Sequence, residues 1–200
     1  MLQSQKKIYL SIGSNKGDKL KNLQNAVDAI YKTIGVVKTI SKVFETPALG
    51  FEGDVFYNAC LLVETTLKPN KVLQELLQIE TNLGRVRTKS GVYESRVIDL
   101  DILFIEDAVI DTKALQVPHP ELQNRRFVLE PLASIAGSVM HPVFQKEVSA
   151  LLDECPDSSQ LESINIWLKN PSKRHQFSKY NYIAIEGNIG AGKTSLSTMI

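Results

Sequence analysis

Apolar positions along the chain change their period several times, and each change predicts an element. From Lys7 to Ile12, Ile8, Leu10 and Ile12 alternate with Tyr9 and Ser11, the two-residue period of a strand, which ends at Gly13-Ser14-Asn15. Leu20, Leu23, Val27, Ile30 and Ile34 then recur at three- and four-residue steps, predicting a helix that stops at Gly35. Val36 to Glu45 reads as a second strand, and the Pro and Gly of residues 46–53 as a loop. Val55 to Thr66 is a third strand, with Tyr57, Ala59, Leu61 and Val63 on one face and Phe56, Asn58, Cys60 and Leu62 on the other.

Pro69 opens a second helix, whose stripe runs through Val72, Leu73, Leu76, Ile79, Glu80 and Leu83 to a stop at Gly84. A loop rich in Arg, Lys and Ser spans 85–96, and Val97 to Ile105 is a fourth strand, apolar but for two aspartates. Beyond Pro118, short helical pieces are predicted around Arg126 to Ala136, interrupted by Pro131, and around Lys146 to Leu152. This β-α-β-β-α-β order predicts an α+β fold, a ferredoxin-like sandwich with extra C-terminal helices. The domain is expected over 1–155 and a polar linker over 156–180, with one helical turn near Ile164 to Leu168. A new strand begins at Tyr182.

Composition narrows the field without choosing within it. Lys plus Arg (23) nearly balances Asp plus Glu (22), so the chain lacks the basic field of a nucleic-acid binder. Cys60 and Cys155 stand far apart, which suggests neither a zinc site nor a disulfide framework. No apolar run is long enough to span a membrane, and a reducing cytoplasm is the expected setting.

The chemistry concentrates in Asp99-Leu100-Asp101. In a strand these two acids share one face, and two carboxylates set among Ile and Leu repel each other and lose hydration. A cation such as Mg²⁺ would neutralise them; alternatively, both acids occupy an exposed edge or cap a turn. Cations gather on either side: Arg85, Arg87, Lys89 and Arg96 before the strand, His119, Arg125 and Arg126 after it. Simple salt bridges would account for them, as would a nucleotide polyphosphate whose oxygens the Arg and His side chains hold while the acids hold Mg²⁺.

Residues from about Ile8 to Leu152 resemble the 6-hydroxymethyl-7,8-dihydropterin pyrophosphokinase family. The likeness is carried by Ser11-Ile12-Gly13-Ser14-Asn15, Glu45-Thr46-Pro47-Ala48-Leu49-Gly50, Phe56-Tyr57-Asn58-Ala59 and Gly84-Arg85-Val86-Arg87. It continues through Arg96-Val97-Ile98-Asp99-Leu100-Asp101, Val117-Pro118-His119-Pro120 and Asn124-Arg125-Arg126-Phe127. The resemblance implies transfer of pyrophosphate from ATP to the pterin hydroxymethyl group, with release of AMP, in folate biosynthesis.

It further implies two Mg²⁺ ions on Asp99 and Asp101, and phosphate contacts from Arg85, Arg96, His119 and Arg125, with Arg87 a weaker one. The pterin edge would be read by Asn58, its ring sandwiched by Phe56 and Phe127, and a loop with Thr46, Pro47 and Leu49 would offer backbone groups. Ile102 and Gln116 would line the adenine. Where the family has an aromatic, Gly and Pro before the arginine, this chain has Tyr93-Glu94-Ser95.

Gly187-Asn188-Ile189-Gly190-Ala191-Gly192-Lys193-Thr194 fits G-x-x-x-x-G-K-[ST] directly after a strand, with Lys193 and Thr194 placed for phosphate and Mg²⁺. It resembles the start of a deoxyribonucleoside kinase, so a covalently linked kinase domain over 181–200 and beyond is expected. Two rival readings follow: a P-loop nucleoside kinase, or a non-catalytic nucleotide-binding module on the same fold.

Overall fold

The computed structural model describes residues 4–47, 54–85 and 95–173. Leu49, Arg87, Tyr93, Glu94 and the Lys193–Thr194 motif, singled out above, lie outside the described residues. The elements run β1 (Lys6–Ser14), α1 (Lys19–Thr33), β2 (Val36–Ile40), β3 (Phe44–Thr46), β4 (Phe56–Thr65), α2 (Pro69–Asn82) and β5 (Asp99–Ile105). A small hairpin, β6 (Ile110–Asp111) with β7 (Gln116–Val117), precedes α3 (Arg126–Ala136), α4 (Val148–Asp153) and β8 (Glu162–Ser163).

This is a mixed α/β fold with an antiparallel sheet in the order β5-β1-β4-β3-β8, β2 pairing β4 beside β3. Among the described residues, no helix is long and apolar enough to cross a membrane.

The strand period divides the core in two. Ile8, Leu10, Ile12, Ala59, Leu61, Val63, Leu100 and Ile102 face α1 and α2, meeting Leu23, Val27, Ile30, Val72, Leu76 and Ile79. Tyr9, Cys60, Leu103 and Phe104 face the other way, onto Val128, Leu129 and Leu132 of α3 and Val148 and Leu151 of α4. A register shift between Tyr9 and Leu10 leaves Leu103 as an extra residue in β5, and so Leu103 and Phe104 both reach the α3 side.

Three local features differ from the sequence expectation. The strand expected over Val36 to Glu45 is split at Ser41, whose Oγ accepts the Cys60 N–H at 2.9 Å while its own N–H donates to the Cys60 carbonyl at 2.9 Å. Helix α3 runs through Pro131 rather than breaking there. The proline forfeits one backbone bond, and burial of Val128, Leu129, Leu132 and Ala136 along the stripe offsets the loss.

Residues 156–173, expected to be a polar linker, run back over the domain. β8 pairs β3, Leu168 enters the core under α1, and the Asn170 Nδ2 donates to the Val37 carbonyl at 3.1 Å. The helical turn expected near Ile164 to Leu168 is absent, and that stretch is extended or irregular.

Gly35 stops α1 for a steric reason beyond helix capping. A Cβ there would stand 2.1 Å from the Glu64 carbonyl oxygen on β4 and 3.1 Å from the Thr65 Cβ. Beside it, the Thr65 hydroxyl donates to the Ile34 carbonyl at 2.6 Å, closing the helix end onto the sheet. Gly35→Ala should therefore push α1 off β4 and destabilise the fold by about 1–3 kcal/mol, read as a drop in the thermal unfolding midpoint.

Candidate active site

On the α3 side, one end of the sheet is left uncovered by the helix, and a cleft of about 1020 Å³ opens there. Its floor follows from strand register. Asp99 of β5 lies opposite Gly13 of β1, which lies opposite Asn58 of β4, which lies opposite Phe44 of β3. Asp101 lies opposite Ser11 in the next row of the same face. With strands spaced about 4.8 Å apart, Asp99 and Asn58 stand roughly 10 Å from each other across a residue without a side chain. A Cβ on Gly13 would come within 2.7 Å of the Asn58 Oδ1, so the glycine keeps the floor open and Asn58 in place.

The acidic end is held by a network. Glu80, 2% exposed on α2, accepts the backbone N–H of Leu100 at 2.9 Å and a close bond from the Arg85 guanidinium. The same Arg85 Nη1 reaches Asp99 Oδ1 at 2.6 Å, and Arg96 Nη1 reaches Asp99 Oδ2 at 2.7 Å. Burial works against the Arg85 charge, but Asp99 and Glu80 outweigh it and hold the guanidinium protonated. Arg96 is itself pinned by Asn15, whose Oδ1 accepts the Arg96 N–H at 2.6 Å and whose Nδ2 reaches the Ser95 hydroxyl at 3.3 Å.

The Asp101 side chain makes no hydrogen bond among the described residues, although its backbone is laddered to β1. Burial and the neighbouring Asp99 charge push its carboxyl up to about 6, with Arg125 and Arg85 opposing. Such a carboxylate beside another suits a divalent cation, which would supply the missing positive charge. Among the described residues, no group of three or more His, Cys, Asp or Glu gathers for a metal. The pair alone fits Mg²⁺, which takes one or two carboxylates and fills its remaining positions with water and phosphate oxygens.

His119 stands at the same end. Its pKa is lowered by burial and by Arg125, against Glu121 and Asp99. Its Nδ1 accepts the Glu121 N–H at 3.1 Å, which leaves the proton of a neutral ring on Nε2 as a donor. The opposite end is built differently: Asn58 Nδ2 donates to the Thr46 hydroxyl at 2.9 Å, and Phe56, Pro47 and Phe127 line the walls. Arg125 sits 6.0 Å from the Phe127 ring centroid. Toward α2 the cleft turns apolar, with Leu73, Leu77, Leu100 and Ala114.

The cleft thus gathers eleven of the expected residues: Thr46, Pro47, Phe56, Asn58, Arg85, Arg96, Asp99, Asp101, His119, Arg125 and Phe127. Two others are elsewhere. Ile102 points to the face opposite Asp101, as the two-residue period requires, and is buried under α1 and α2. Gln116 is exposed on β7, where its amide donates to Asp111 at 3.0 Å. Sequence reasoning overlooked Glu80 as a site residue, although an acid in an apolar helical stripe signals it. It also overlooked Pro156 and Asp157, which no periodic pattern marks.

The family model described as 7,8-dihydro-6-hydroxymethylpterin-pyrophosphokinase (HPPK) matches residues 9–137. The 2-amino-4-hydroxy-6-hydroxymethyldihydropteridine pyrophosphokinase of Aquifex aeolicus is 38% identical over 74% of this chain and 91% of its own. The folic acid synthesis protein fol1 of Pneumocystis carinii is 35% identical over 86% of this chain, which spans only 23% of that protein's length. The crystal structure of Plasmodium falciparum HPPK-DHPS with pteroate superposes with a TM-score of 0.63 over 76% of this chain and 42% of that one. At 16% identity this likeness bears on the fold alone.

Proposed function

The chain belongs to the 7,8-dihydro-6-hydroxymethylpterin-pyrophosphokinase family, and from that membership we propose that it transfers pyrophosphate from ATP to 6-hydroxymethyl-7,8-dihydropterin. The observation that carries the reading is the two-ended cleft. A cationic end with paired acids suits a polyphosphate, and a flat end with a buried amide between aromatic walls suits a pterin ring.

Asp99 and Asp101 are the residues that would hold Mg²⁺, in the number of two that the family resemblance implies. Bound there, the metal would neutralise triphosphate charge. Arg85, Arg96, His119 and Arg125 donate to phosphate oxygens, and the adenine lies toward Leu73, Leu77 and Ala114. Arg87 and Leu49 belong to the same reading by resemblance.

Asn58, oriented by Thr46, reads the pterin edge, while Phe56 and Phe127 stack on its ring. The hydroxymethyl oxygen attacks the β-phosphorus of ATP, the bond from that phosphorus to the α,β-bridging oxygen breaks, and AMP leaves. The hydroxyl proton passes to solvent. Positioning and charge neutralisation then supply most of the acceleration.

The sheet order, with β2 and β3 sharing one edge of β4, favours the ferredoxin-like description of the fold. The motif at Gly187 to Thr194 supports a linked P-loop kinase unit after this domain, and the absence of a long apolar helix among the described residues accords with a cytoplasmic setting.

The deciding experiment resolves nucleotides after incubating the chain with Mg-ATP, with and without the pterin. AMP is expected only when the pterin is present. ADP as the product would favour a P-loop kinase, and ATP binding without turnover a non-catalytic module.

A further inference from the structure

One wall of the cleft lies beyond the span that the family model matches. Pro156 and Asp157 line it from the segment that follows α4. Asp157 Oδ2 accepts the backbone N–H of Arg126 at 3.1 Å. Arg126 is the first residue of α3, and the cap residue Arg125 supplies no side-chain acceptor there. The other carboxylate oxygen accepts the Ser159 N–H at 2.9 Å and a close bond from the Ser159 hydroxyl.

Both oxygens are therefore committed, and the carboxylate has a fixed orientation. Burial alone would raise its pKa, but the hydrogen bonds from Ser159 and Arg126 hold it below the usual carboxylate range. A negative charge at this point also suits the positive end of the helix dipole.

The residues on either side of Arg126 are Arg125 and Phe127, and both line the cleft. A little further along, the same segment is tied to a second wall. β8 pairs Phe44 and Glu45 of β3, and the Ile164 N–H donates to the Val43 carbonyl at 3.0 Å. Strand β3 carries Thr46, the partner of Asn58. Residues 157–164 thus strap the first turn of α3 to the strand that orients the buried amide.

We propose that Asp157 is a positioning residue for the aromatic half of the cleft, holding the first turn of α3 so that Phe127 stays in the wall. The inference rests on the pterin reading above. Without the carboxylate, the Arg126 N–H loses its acceptor and the turn frays, while Asp99 and Arg85 keep their own supports.

The test uses the full chain, with AMP formation followed while pterin and ATP are varied separately. Asp157→Ala should raise the pterin KM about five- to tenfold, with a smaller rise in the ATP KM through Arg125 and kcat within about twofold. Asp157→Asn, which keeps an acceptor oxygen toward Arg126, should recover most of that loss. Amide hydrogen exchange at Arg126 and Phe127 should quicken in Asp157→Ala and return toward wild type in Asp157→Asn.

An unchanged pterin KM, equal rises for both substrates with a fallen melting midpoint, or absence of rescue would each overturn the proposal. Unchanged exchange would do the same. If the wild-type chain yields no AMP, the pterin reading fails instead, and the exchange measurement still decides whether Asp157 holds the turn.

Discussion

Asp101→Asn should make the ligand-free protein more stable while sharply lowering the proposed pyrophosphoryl transfer. The carboxyl of Asp101 is pushed up to about 6 by burial and by Asp99, so the folded chain binds a proton there more tightly than the unfolded chain does. Stability of the ligand-free protein therefore falls as pH rises from about 4 to 6, and above that range the ionised carboxylate is a standing penalty. An asparagine is neutral at every pH. Its thermal midpoint at pH 7.5 should exceed that of wild type by a few degrees, corresponding to about 1–2 kcal/mol, and the difference should shrink toward pH 4.

Activity should move the other way. Loss of one of the two carboxylates proposed to hold Mg²⁺ should lower AMP formation by about 10²–10³-fold. Melting curves across pH and a product assay on one preparation check both halves. A variant that melts below wild type at pH 7.5 would show that Asp101 is satisfied in the free protein by contacts of its own.

Glu80→Ala should damage both the fold and the site. The carboxylate meets the Leu100 N–H at 2.9 Å and also holds Arg85, at 2% exposure. Its removal strands a buried donor and leaves Arg85 with Asp99 as its one acidic partner among the described residues, for a loss of about 3 kcal/mol. In a domain of this size that lowers the thermal midpoint by about 5–10 °C. Glu80→Gln keeps an oxygen for Leu100 and should lose much less stability. It still releases Arg85, so the ATP KM should rise in both variants. Denaturant unfolding with substrate titrations separates the two effects. An ATP KM untouched in Glu80→Gln would mean that Asp99 suffices to orient Arg85.

These two sites show what was legible before the structure. The pairing of Asp99 with Asp101, and of Phe56 with Asn58, follows from strand period alone, and the sheet places each pair on the expected face. Glu80 was visible as an acid within an apolar stripe, but its partners lie on β5 and in the segment after α2, and no local pattern connects them.

Ile102 shows the limit from the other direction. Family position suggested the cleft, while its place between Asp101 and Leu103 demanded the opposite face. The split between β2 and β3 was hidden because it depends on one hydroxyl taking the place of a ladder carbonyl, which hydropathy does not register. Residues 156–173 gave no signal because backbone pairing and the isolated buried residues Leu168 and Pro171 dock them, without any periodic face.

The pairing of β8 with β3 bears on how the protein behaves at high concentration. A sheet whose last strand shows a bare row of amides and carbonyls is a template for a second copy. Here a two-residue strand covers the β3 part of one margin, and the Asn170 amide takes the Val37 carbonyl on β2 beside it. At the other margin, the Glu80 carboxylate takes the Leu100 amide, and the His119 amide takes the Leu103 carbonyl. The residues that organise the cleft thereby also blunt the border where chains would otherwise join strand to strand, and chemistry and solubility are served by the same few atoms.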